Sequence, residues 1–345
     1  MKKILPAISV SVIPISIYAK ALLDPKKVET KPLAPKICMI LDKAGKDDNS
    51  FNQEAYNGFE KAFKTLPVAK DSKVIEAKED GQLNQSVRSF IKGKCSVIFS
   101  VGVNNADAIK KIAPKYPDQK FVVIDTTVDY KNVRSVVFKD EQGAFLMGAI
   151  AAIKSQSGIV GMIGGMNIPL IHRFETAYTA GAKHVNPKIK VMVGYVGVSV
   201  EAWNNPTKAQ ELALNQFNQG ADIIFHAAGG SGLGVFNAAE KASKPNSKKY
   251  AIGCDSNQNW IKPGIILTSM TKGVEKSVVD AVKELIDDKF TTGTYSYSLS
   301  NEGIDWAYDK YNKNLFSENE IKKINEIKKE LVLDKIITTS KEAKN

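Results

Sequence analysis

Cysteine and histidine are both scarce in this chain, three of each in 345 residues. Cys38, Cys95 and Cys254 are too few and too irregularly spaced for a zinc site or a disulfide framework. Cys38 and Cys95 each begin an apolar, strand-like run, so the two can be neighbours in one sheet. An oxidising compartment would permit a bond between them, but buried free thiols are the expectation. His172, His184 and His226 fall in different segments, with no HExxH spacing and no G-x-S-x-G elbow, so the usual metalloprotease and hydrolase signatures are missing. His226, inside an apolar run, reads as a core histidine. No catalytic residue, metal or cofactor is expected. Beyond the N-terminus no apolar stretch approaches the roughly 20 residues of a membrane-spanning helix.

The charge balance is basic, +11, yet the lysines are scattered and share helical stretches with glutamates, as in EIKKINEIKKELVLDK at 320–335. That pattern suits a solvated helix face and argues against a nucleic-acid footprint. Hydrophobic residues make up 43% and charged residues 25%, the composition of an ordinary globular protein, and the length predicts two domains.

What the chain does carry begins with MKKILPAISVSVIPISIYAKALL: two lysines, a Pro-broken uncharged run, then Ala19-Lys20-Ala21. This is the pattern of a secretory signal peptide spanning 1–21, with cleavage after Ala21 or, alternatively, Ala19. Removing Lys2, Lys3 and Lys20 leaves 11 − 3 = +8. No cysteine closely follows the apolar run, so the expectation is a free periplasmic protein without an N-terminal lipid.

Short Val/Ile-rich runs then alternate with helical patterns. Strands are expected at 37–41, 73–77, 95–101, 120–125 and 134–138, and again at 158–164, 189–197, 221–228, 249–255 and 265–270. Helices are expected at 53–66, 85–94, 105–113, 141–154, 173–185, 206–220, 233–242 and 274–290. Continuous apolar runs fit strands covered on both faces, as in parallel sheets. Two such batches predict two doubly wound α/β lobes. The expected lobes are 34–140 plus 271–292 and 141–270 plus 293–335, joined by a three-strand hinge and followed by a basic tail at 336–345. Ser317 and Glu320 have capping-box spacing for a C-terminal helix, as do Ser50 and Gln53 for the first helix, which makes Phe51 and Asn52 its opening residues.

In such sheets the carboxyl ends of the strands share one rim, where ligands bind. Asp42, Asn52, Asn104 and Asp125 fall there in the first lobe. Trp203, the Gly229-Gly230 turn, Asp255 and Lys272 fall there in the second. Phe51 and Trp203, one per lobe, offer two flat faces for a planar ring. Asn52 and Asp125 offer in-plane donors and acceptors, and Asp255 with Lys272 suits a vicinal diol. The alternative is structural: Phe51 stapling a helix entry, Trp203 covering a helix start, and the aspartates capping loops. GGSGLG lacks the dinucleotide spacing and is expected to form only a tight turn.

The blocks DDNSFNQEAYNGF, VVFKDEQGAFLMGAIAA, GMIGGMNIPLIHRFETAYTAG, AWNNPTKAQELA, HAAGGSGLGVFNAAEKA and AIGCDSNQNWIKPGIILTSMTKGV, in this order, resemble the basic membrane protein family. These are substrate-binding proteins of ABC importers that include purine nucleoside receptors. The resemblance implies a type I periplasmic-binding-protein fold and a monomer that binds a purine nucleoside and delivers it to an inner-membrane permease. By position it implies Phe51 and Trp203 sandwiching the base and Asp48, Asn52 and Asp125 at its edges. Asp255, Lys272 and the Gly229-Gly230 turn would then lie at the ribose. Riboflavin or a free nucleobase would satisfy the same clamp, and a surface adhesin could reuse the same fold.

Overall fold

The computed structural model describes residues 34–77, 80–336 and 338. The expected signal peptide and most of the basic tail lie outside them. The first sheet holds β1 (Ile37–Leu41), β2 (Lys73–Glu76), β3 (Val97–Val101), β4 (Lys120–Ile124), β5 (Val133–Phe138) and, late in the chain, β11 (Gly293–Tyr297). Its order is β11-β5-β4-β3-β1-β2, all parallel. β1 and β3 are buried at every position, as strands with helices on both faces must be. The covering helices include α1 (Phe51–Thr65), α2 (Asp80–Lys92), α3 (Ala106–Ile112) and α8 (Val274–Ile286).

The second sheet repeats the plan. It contains β6 (Ile159–Met166), β7 (Lys190–Gly197), β8 (Ile223–Ala227), β9 (Tyr250–Asp255), β10 (Ile266–Lys272) and a short antiparallel edge, β12 (Ile304–Trp306). The order β12-β10-β9-β8-β6-β7 matches the first sheet strand for strand. Its helices are α4 (Asp140–Lys154), α5 (Pro169–Val185), α6 (Pro206–Asn218), α7 (Gly232–Ala242) and α9 (Glu318–Val332). Gly148 on α4 faces the Tyr178 carbonyl and Gly181 on α5 faces the Phe145 carbonyl too closely for a Cβ, so these glycines set the approach of the two helices. The result is two doubly wound α/β lobes, and the chain passes between them after β5, after β10 and after β11.

Three expectations are corrected. Residues 293–297, expected in the second lobe, pair along β5 in the first sheet, so the last crossing follows Tyr297; the Gly/Thr/Ser-rich sequence hid an edge strand that is largely exposed. Cys38 and Cys95 are bonded, with Cα atoms 6.0 Å apart. Cys38 lies in β1 and Cys95 just ahead of its neighbour β3, which brings the sulfurs within disulfide reach. Finally, Ser50 precedes α1 but its side chain does not cap it, whereas the Ser317–Glu320 capping box of α9 is formed.

Candidate functional site

Asp48 takes over the cap of α1. Its Oδ1 accepts from the backbone N–H of Ser50 at 2.8 Å and of Gln53 at 3.0 Å, and its Oδ2 accepts from the N–H and the side-chain amide of Asn52, each at 3.0 Å. All four acceptor positions of the carboxylate are thereby filled. Asn52 is equally committed: its amide nitrogen also donates to Asp42 Oδ1 at 2.9 Å, and its oxygen accepts from the Asp42 N–H at 3.1 Å. Together they hold the mouth of α1 against the end of β1 and fix Phe51 at the cleft.

The carboxyl ends of the strands line a cavity between the lobes. Asp48, Phe51, Asn52 and Asp125 line it from one side and Trp203, Gly229, Asp255 and Lys272 from the other. Gly230 lies behind it, where an added Cβ would stand 3.5 Å from the Asp48 Cβ and 3.4 Å from the Trp203 carbonyl oxygen. Asp125 directly follows β4 and Asp255 ends the equivalent strand β9, and both adopt left-handed backbone angles, φ 73° and 70°. Among L-residues aspartate is one of the few that tolerates this region. Trp203 ends a short 3₁₀ turn before α6, whose N-cap is Asn205 and whose first residue is Pro206. Its ring packs on Gly165 of β6 so closely that any side chain there would strike it.

Lys272 is the electrostatic centre. Its side chain is 1% exposed, and its ammonium lies 2.9 Å from Asp125 Oδ1 and 3.0 Å from Asp140 Oδ1. The rings of Phe138, Phe51 and Phe174 surround it at 4.8, 5.2 and 5.8 Å. Burial alone would lower its pKa, but Asp125, Asp140 and Asp255 outweigh that and hold it above the ordinary lysine range. Burial acts on the carboxyls in the opposite sense. Burial pushes Asp140 up to about 7 and Asp42 up to about 6, and it raises Asp48 and Asp255 as well.

Ser50 crosses the lobe boundary. Its hydroxyl donates to Asp255 Oδ2 at 2.6 Å, which among the described residues leaves Oδ1 with only the weak Cys254 Sγ contact at 3.6 Å. The Asn49 carbonyl accepts from Ser256 and from Gln258, both at 2.8 Å, so the turn at 49–50 is clasped by the loop after β9. His226 is buried away from the cavity. Its Nε2 pairs with Gln258 at 3.0 Å, its Nδ1 has no partner among the described residues, and burial lowers its pKa to about 4, so it is neutral.

Sequence reasoning did not select Asp42, Ser50, Asp140, Leu170, Ile171 or Phe174 as site residues. Asp42 was visible as a rim aspartate, and its Oδ2 accepts no hydrogen bond from the described residues. Asp140 carried only the signal of an acid in a first helical turn. Ile171 and Phe174 are spaced as ordinary core positions of α5, and nothing in that spacing marks them as cavity walls.

The family described as ABC transporter substrate-binding protein PnrA-like, or Bmp, matches residues 35–342. The chain belongs to the Bmp family. This Bmp protein is 32% identical over 290 residues to the ABC transporter nucleoside-binding protein BmpA of Lactococcus lactis, covering 79% of this chain and 82% of the relative. It is 33% identical over 251 residues to basic membrane protein A1 of Borrelia garinii, covering 71% and 70% of the two chains. In fold it is similar to a solute-binding protein of an ABC transporter system from Aeropyrum pernix, with a TM-score of 0.80 at 24% identity, covering 88% of this chain and 93% of that one. The Bmp protein is thus a substrate-binding component of an ABC transporter with the periplasmic-binding-protein fold, a family of binders and not of enzymes. No helix among the described residues is long and apolar enough to cross a membrane.

Proposed function

We propose that this Bmp protein is exported to the periplasm, binds a purine nucleoside between its lobes as a monomer, and delivers it to an inner-membrane permease. The observation that carries the reading is that Phe51 from one lobe and Trp203 from the other line a single cavity with Asp255 and Lys272. A base inserted between the two rings gains about 1–3 kcal/mol per stacking face. Asp42 Oδ2 and Asp125 are the acceptors left for N–H groups on its edge, with Asn52 retaining one lone pair. Asp255 Oδ1 faces a sugar hydroxyl while Oδ2 is held by Ser50, so hydroxyl recognition and the cross-lobe bond meet on one carboxylate. Asp48 acts indirectly, by fixing Phe51 and Asn52. The lining carries four aspartates against one lysine already paired twice, a balance that disfavours a phosphorylated ligand. Neither metal nor cofactor enters this scheme.

The test is calorimetry or thermal shift with purine and pyrimidine nucleosides, their monophosphates, riboflavin and free sugars. Inosine, guanosine or adenosine should stabilise the protein more than its monophosphate does. Stabilisation by sugars alone would remove the nucleoside reading.

A further inference from the structure

A second cavity adjoins the first and shares Asp42, Asn104 and Trp203 with it. Its own walls include Ala77 and Leu83 from the first lobe and Val200 from the second. Ala77 and Leu83 are each 7% exposed, so that wall is apolar and already desolvated. Lys43 also lines it and pairs with Glu201 across the cleft at 2.7 Å, with side chains 43% and 59% exposed. The half-exposed ion pair therefore lies at the edge of this chamber.

What the chambers share decides what could reach from one to the other. Trp203, the ring-clamping residue, borders both, as does Asp42. Asp255 and Lys272, the diol-facing pair, border only the first. A ligand seated in the inner chamber thus turns its heterocycle toward the outer one and its sugar away. Resting on the nucleoside reading above, we propose that the outer chamber is a subsite for an apolar substituent on the base, so that the protein also takes N-alkylated purine nucleosides. The alkyl or arylalkyl group packs on Ala77, Leu83 and Val200 under the Lys43–Glu201 pair, and Asp42 keeps the base in register.

The test takes whichever of adenosine, guanosine and inosine binds most tightly and compares it by calorimetry with its benzyl derivative: N6-benzyladenosine, N2-benzylguanosine or 1-benzylinosine. The derivative should bind within about tenfold of the parent or more tightly. Val200→Phe, which fills the outer chamber, should weaken the derivative about tenfold or more and leave the parent unchanged. Ala77→Leu narrows the same space from the opposite lobe and should do likewise, which guards against a folding defect in either variant. A benzyl group that costs the wild type more than about tenfold overturns the proposal, as do filling variants that shift both ligands equally or neither. Failure of every parent nucleoside to bind removes the underlying reading, and this subsite with it.

Discussion

Replacing Lys272 by Met removes one charge and leaves the apolar stem among Phe51, Phe138 and Phe174. The side chain is 1% exposed, and its ammonium faces Asp125 at 2.9 Å and Asp140 at 3.0 Å, with Asp255 adding its field. Breaking a buried pair strands its partner, at a cost of about 3–5 kcal/mol, because the remaining carboxylates are largely shut off from water and the half-exposed Arg173, 4.0 Å from Asp140 Oδ2, is a weak replacement counter-charge. For a chain of this size that corresponds to a fall in Tm of roughly 5–10 °C near pH 8. The deficit should shrink on acidification. Asp140 already titrates at about 7 in the folded protein, against 3.8 for an unperturbed aspartate, so its folded form takes up a proton that the unfolded chain releases. A carboxyl with a raised folded pKa costs stability as pH rises through this window, and losing the ammonium pushes Asp140 further up. Thermal unfolding of Lys272→Met at pH 8 and at pH 5.5 measures both effects, and Lys272→Met combined with Asp140→Asn should recover much of the loss. A single variant as stable as wild type at pH 8, or a double variant no better than the single, would refute the reasoning.

The wild type should be more stable near pH 5 than near pH 8. Asp42, Glu54 and Asp140 have folded pKa values raised by burial to about 6, 7 and 7, so each favours the folded state more as it protonates; a Tm that climbs steadily from pH 5 to 8 would contradict this. Reduction of Cys38–Cys95, which are 57 residues apart, should cost about 4 kcal/mol in the chain-entropy account, read as a lower denaturant midpoint in dithiothreitol. Gly165→Ala should weaken nucleoside binding without touching ligand, because the new methyl group displaces the Trp203 ring; the protein should stay folded by circular dichroism while calorimetry shows at least about a tenfold loss.

The amino-acid sequence by itself determined the architecture, and for a physical reason. Strands covered on both faces must be apolar throughout, so runs such as ICMIL and VIFSV announce a parallel sheet without knowledge of any neighbour. Once two series of such strands are recognised, the polar residues that follow each one are bound to collect on one rim, and Phe51, Asp125, Trp203, Asp255 and Lys272 were legible on that ground. Edge strand β11 was not, because an exposed edge needs no apolar run and its Gly/Thr/Ser composition reads as linker.

Tertiary structure alone decided which polar atoms are free. Asp48 and Asn52 look like ligand readers in sequence, yet their hydrogen-bonding capacity is largely spent on α1 and β1. Ser50 looks like a cap, yet it reaches Asp255, 205 residues away. Asp140 looks like a surface acid in a first helical turn, yet it is buried against Lys272. Hydrogen-bond saturation and buried charge pairing depend on partners distant along the chain, and only folding sets those distances.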